Sequence, residues 1–408
     1  MKISKRLIRI CFPLSLLFFV FLSGPVMGGR LMPGNFIYQG AFRLPPEFNW
    51  GARGMAYHPG GAGGSGSLLV IGFDLNQAEF AEIAIPQPVI SRDYESLPVT
   101  GLLSGMTNFD GNIVESVSPD TAVASGIAFV PRRGSQGSDK LYGSIDQWYG
   151  VSEQTHLTIW FCETNGTNPR GAFHVGPMSL PFHGNKAGDY LFTVPQWYAD
   201  QYLGGRILLT GKTRGAFNGS QGPTLFAFHP WDSETPAGAL DAMQVLWYRI
   251  KYPECAGDNV GNKALCDYPD FTMCDKWEGG GFVESGPNRA VILLGRKGLG
   301  INFYGEPPPG ACSDSKGYHC DPFERQIIFY DIDELGQAAL GQRNPWSVVP
   351  YAIWRPSEFL LRNGGGQTCG ETGDMAVDPA GRRVFLIEKG FGGHLNENAA
   401  AIHIYHVN

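Results

Sequence analysis

Short apolar runs recur along this chain in a fixed order. A small residue precedes a first run, a turn follows, and a second and third run come after it. The first two runs fall at 54–59 (Gly-Met-Ala-Tyr-His-Pro) and 68–73, then at 126–131 and 141–145. They return at 190–195 and 207–211, at 281–283 and 291–295, and at 375–379 and 384–387. Third runs lie at 79–86, 157–162, 224–230, 325–330 and 401–407. Apolar runs of this length between turn residues read as buried strands. Their recurrence reads as one supersecondary unit used five times.

A fourth run follows at 97–103, 172–177, 244–249 and 351–356, but the fifth unit has none. The missing strand stands at the other end of the chain. Residues 38–44 (Tyr-Gln-Gly-Ala-Phe-Arg-Leu) are similar to 170–175 (Arg-Gly-Ala-Phe-His-Val), the fourth run of unit two. A strand from the N-terminal side that completes the last sheet closes a ring. On these residues the chain resembles the β-propellers, at the level of architecture and without a match to one family. The expected fold is all-β: a five-bladed propeller of four-stranded blades, with the N-terminal strand completing the last blade. A sixth blade within 250–280 is the alternative count. Short helices are expected within 232–243 and 331–342, with Asp331 capping the second.

Composition agrees with many short strands. Glycine (56) and proline (29) are abundant, and helical periodicity is absent. The basic residues Lys2, Lys5, Arg6 and Arg9 precede an apolar stretch at 10–22, too short to span a bilayer. This reads as a signal peptide over 1–28, leaving 29–408 as one propeller domain, secreted or periplasmic. A net charge of -7 without a basic run argues against nucleic acid as partner.

An exported chain can oxidise its cysteines. Cys255 with Cys266, and Cys312 with Cys320, would each close a short loop. Cys274 and Cys369 fall in equivalent loops of units four and five and are expected to form a disulfide across the mouth. Cys162 is left as the unpaired thiol.

Loops that join second to third strands share a face with loops that lead into the next first strand. Near the axis, these loops form a mouth. The second runs end in Asp74, Asp146, Lys212 with Arg214, Arg296 with Lys297, and Glu388 with Lys389. Trp50, Arg53, Trp277, Glu278, Glu371 and Asp374 lie in the loops before first strands, and Trp148 follows Asp146. Tryptophan faces beside carboxylates suit a sugar ring, whose apolar face stacks while its hydroxyls are bound. The expected ligand is a polysaccharide or another polar molecule.

Glu278, Glu371 and Asp146 are the candidate catalytic carboxylates for a glycosidic bond. Glu278 is the expected proton donor, its pKa raised by Trp277. Trp50, Arg53, Asp74, Trp148, Lys212, Arg296, Trp277, Glu388 and Lys389 are the candidate substrate-binding residues. The cations among them hint at an acidic group such as a uronate. The competing reading is a non-catalytic protein- or glycan-binding scaffold whose mouth charges pair with one another. No cofactor or metal is expected. His403 and His406 point to opposite faces of one strand, and the glycine-rich run at 60–66 reads as a hairpin loop.

Overall fold

The computed structural model describes residues 28–48, 51–73, 78–118, 122–147, 157–176, 187–215, 219–231, 239–259, 261–313, 316–359, 369–390 and 399–408. Its strands form five four-stranded antiparallel sheets arranged as the blades of a propeller. Blade one holds Met55–His58, Ser67–Phe73, Glu79–Ile83 and Thr107–Asn108. Blade two holds Ala122–Val130, Lys140–Gln147, Ile159–Glu163 and Arg170–Val175. Blade three holds Leu191–Thr193, Leu208–Thr210, Leu225–Phe228 and Ala242–Leu246. Blade four holds Lys276–Ser285, Asn288–Gly298, Phe323–Tyr330 and Ala352–Trp354. Blade five holds Thr372–Asp378, Arg383–Lys389, Ala400–Val407 and, from the other end of the chain, Phe36–Arg43.

That last pairing closes the ring. Phe36–Arg43 runs antiparallel to Ala400–Val407 from Phe36 opposite Val407 to Arg43 opposite Ala401. The first strand of each blade packs on the first strand of the next, and that of blade five returns to blade one. Glycine makes this approach possible. A Cβ on Gly126 would stand 2.6 Å from the Asp189 carbonyl of the next blade, and one on Gly373 2.2 Å from the Ala52 carbonyl. The small residue that precedes many of the first runs is therefore a spacer for neighbouring backbones. Between blades the apolar faces interlock. Phe42, Phe385 and Ile402 of blade five meet Val70 and Ala81 of blade one, all buried. A lone blade leaves two such faces in water, and the closed ring leaves none.

One expected strand needs correction, and the alternative sixth blade is not found among the described residues. The fourth strand of blade one is Thr107–Asn108, not 97–103. Residues 97–103 instead cross the junction of blades five and one. There Thr100 N–H donates to the Arg43 carbonyl (3.0 Å) and Leu103 N–H to the Glu82 carbonyl (2.8 Å). An apolar run shared between two edges reads in sequence like a strand within one. Ile332–Ala339 is the expected helix, with Asp331 accepting from Asp333 and Glu334 N–H. Of 232–243, residues 232–238 lie outside the described residues, and 239–240 and 242–243 are in strands. The described residues of 250–275 add no blade; they form a loop lobe.

The disulfides bind this lobe. Cys255–Cys266 is as expected. Cys274, however, pairs with Cys320, and Cys312 with Cys369. The expected Cys274–Cys369 and Cys312–Cys320 bonds are both replaced. Cys312 and Cys320 both lie in the connection between the second and third strands of blade four, and each pairs with a cysteine outside it. Cys162 is free and buried. Of the expected signal peptide, residues 1–27 lie outside the described residues. Among the described residues no helix is long and apolar enough to cross a membrane.

Candidate functional site

The five first strands surround a shaft on the axis. Each contributes three lining residues, among them Met55, Ile127, Leu191, Gly281 and Met375. No lining residue is charged, so the shaft itself holds no acid or base. The charges gather where first strands begin and second strands end, and they fall into two groups.

One group spans blades one to three. Lys212 reaches the Asp146 carboxylate at 2.7 Å and Asp189 at 3.4 Å, and Arg53 reaches Asp146 at 3.3 Å. Asp189 also accepts from the Thr213 N–H. Burial alone would raise the pKa of Asp146. Lys212, Arg53 and Arg214 outweigh it and hold the carboxyl well below the usual range. Asp189 goes the other way. Burial and the neighbouring Asp146 charge push it up to about 7 against the pull of Lys212. Lys212 stays charged, since Asp146 and Asp189 outweigh its own burial.

The second group spans blades four and five. Arg296 pairs with Glu371 and donates to the Cys369 carbonyl at 2.8 Å. Burial opposes ionisation of Glu371. Arg296, Lys276, Lys389 and Arg325 nevertheless bring its pKa down to about 2. Arg325 pairs with Glu388 at 3.0 Å, and Glu388 contacts His403 Nε2 at 2.8 Å. Lys389 N–H donates to the Glu371 carbonyl at 3.2 Å. The Thr372 hydroxyl donates to Glu278 at 2.9 Å. Among the described residues, Glu278 is the one of the three candidate catalytic carboxylates without a cation at ion-pair distance.

The structure therefore brings Arg53, Asp146 and Lys212 together, and separately Glu371, Arg296 and Lys389. Two candidates lie elsewhere. Trp277 has 0% exposure and packs edge-on against Tyr268, with ring centroids 5.4 Å apart. It presents no face to a ligand. Glu388 likewise has 0% exposure and is enclosed by Arg325 and His403. It holds blades four and five together and is not open to a ligand. Trp50, Asp74 and Trp148 lie outside the described residues.

Asp189 and Lys276 escaped the sequence reading, and Asp374, placed in a mouth loop, was given no role; these are three further residues at the site. Asp189 and Asp374 each follow a glycine at the start of a first strand, and both are fully buried. Asp374 accepts from Met375 N–H (2.7 Å) and, across the blade junction, from Met55 N–H (3.3 Å). Burial raises its pKa well above the usual value despite these donors. The Gly-Asp pair repeated in units three and five was the available signal. Lys276 is the third. Arg296 and then burial lower its pKa to about 8, against Glu371 and Glu278. Among the described residues no group of three or more metal-ligating side chains comes together.

No family model matches the chain, and no curated protein is similar to it in sequence. Solved structures do show likeness. An exo-inulinase from Aspergillus awamori is 12% identical with a TM-score of 0.41, over 90% of this chain and 62% of that one. A Parabacteroides distasonis protein provisionally described as a glycoside hydrolase is 9% identical with a TM-score of 0.38, over 93% and 96%. The endosialidase of phage phi92 is 9% identical with a TM-score of 0.34, over 91% and 52%. This chain thus spans less than two thirds of the inulinase and endosialidase chains.

Proposed function

We propose that this propeller is an exported carbohydrate-active protein that takes a polysaccharide at the charged mouth, with Glu278 as its acid–base group. The state of Glu278 carries the reading. It is half-buried near the start of a first strand, accepts a hydrogen bond from the Thr372 hydroxyl, and has no cation at ion-pair distance among the described residues. Asp146 and Glu371 are held ionised by lysine and arginine, which suits orienting or hydroxyl-binding roles rather than proton donation. Three disulfides fit an oxidising compartment, as does the basic and apolar N-terminal segment.

The test compares wild type with Glu278→Gln on a polysaccharide panel, following reducing-end release and binding side by side. The expected result is retained binding with release reduced about 100-fold or more. The ion pairs at Asp146 and Glu371 favour a second reading, a glycan-binding propeller without turnover. Binding with no release by wild type would establish that reading. Binding to no polysaccharide would end both.

A further inference from the structure

Blade four and its neighbour carry an unusual row of charge. Arg214 bridges Lys276 across the junction of blades three and four. Lys276 stands opposite Arg296 in the first two strands of blade four, and Arg296 stands opposite Arg325 in the second and third. Residues in such register place their side chains about 5 Å apart on one face. Four cations are thus ranked side by side across three strands and a bridge. Like charges in these positions oppose folding, so the row needs anions.

The protein supplies them unevenly. Glu371 serves Arg296 and Glu388 serves Arg325. The Lys276 side chain has no hydrogen bond or ion pair among the described residues. Arg296 Nε is a buried donor that finds no acceptor, in a residue only 5% exposed. An ammonium and a guanidinium N–H are left at adjacent positions of one ladder. Lys212 across the mouth is the contrast, for it has a carboxylate in contact.

We infer that the row Arg214–Lys276–Arg296–Arg325 is a carboxylate-binding subsite, and that the polysaccharide taken at the mouth is acidic, carrying uronate groups. This rests on the glycan reading given above. The arginines already donate to the carboxylates of Glu371 and Glu388, and the donors left over match one more. Two disulfides hold the subsite. Cys274 stands two residues before Lys276, and Cys369 two before Glu371 while its carbonyl accepts from Arg296. The lowered pKa of Lys276 fits an ammonium that faces Arg214 and Arg296 with Glu278 and Glu371 too few to balance them.

The experiment is calorimetric titration at low salt with oligouronates, with neutral oligosaccharides of glucose, mannose, xylose and fructose, and with sulfated dextran. Oligouronates are expected to bind. Lys276→Gln should weaken that binding about 10- to 100-fold, whereas Lys276→Arg should keep it within about threefold. Wild-type affinity should fall as pH rises from 7 to 9 and the ammonium is lost, a readout that needs no variant. Binding of a neutral sugar but no uronate would overturn the acidic subsite and leave the glycan reading standing. Sulfated dextran binding as tightly as uronate would also overturn it, since charge alone would then be read. Binding of no sugar at all would remove the glycan reading, and the subsite with it.

Discussion

The two sides of the mouth handle charge in opposite ways. On the side of blades one to three, Arg53, Asp146, Lys212 and Asp189 neutralise one another within contact distance. On the side of blades four and five, cations stand in register, and among the described residues the Lys276 side chain has no ion pair. The first arrangement is complete in itself and reads as part of the scaffold. The second is incomplete, and an incomplete charge set held by disulfides is what a ligand site looks like.

Removing one lysine from each side tests this contrast most strongly. Lys212→Met leaves Asp146 and Asp189 buried without their ammonium and should cost about 3–5 kcal/mol in urea unfolding. Lys276→Gln removes a like charge from a row and should leave stability unchanged or slightly higher. Equal losses from both would erase the distinction.

The clamp on the second side is the next target. Cys312→Ser with Cys369→Ser frees a loop whose ends are 57 residues apart and should cost about 4 kcal/mol on the chain-entropy estimate. The Cys255 and Cys266 pair, 11 residues apart, should cost about 3 kcal/mol. Ligand affinity should fall with the first pair and hold with the second.

A smaller effect separates the sides by pH. Between the unfolded carboxyl pKa near 4 and about 7, folded Asp189 keeps a proton that the unfolded chain has lost. Stability contributed there falls as pH rises through that window. Lys276 titrates at about 8 when folded and near 10.5 when unfolded. The unfolded chain then binds more protons, so stability rises from pH 8 to 10.5. Asp189→Asn should flatten the first slope in a series of thermal melts, and Lys276→Gln the second. Smallest of all is the response of Cys162. Burial pushes its thiol up to about 12, so iodoacetamide should leave it unlabelled in the native protein.

Much of the fold was legible because strand burial repeats. The five unit pattern, the strand at Phe36–Arg43 and the Asp331 cap each follow from local chemistry that tertiary contacts reinforce. The disulfides were less legible. Spacing favoured Cys312 with Cys320, yet each pairs with a cysteine from another part of the chain, Cys369 and Cys274. Trp277 was misplaced for a different reason. A tryptophan beside a glutamate looks like a sugar site in one dimension, but the Trp277 ring is fully buried and packed edge-on against Tyr268. Lys276 was passed over because one lysine in a loop is unremarkable. Its meaning comes from Arg214, Arg296 and their registers, which no single stretch of sequence contains.

Ring closure also fixes an order of events. Asn35 and Asn408 are hydrogen-bonded although 373 positions separate them. During synthesis Phe36–Arg43 emerges early and then waits for nearly the whole polypeptide. Throughout that interval its edge is open and Phe42 is unprotected, the state in which chains stick to one another. Final assembly is therefore a late, long-range step, and chaperone dependence in a living cell should be greatest for this first-born segment.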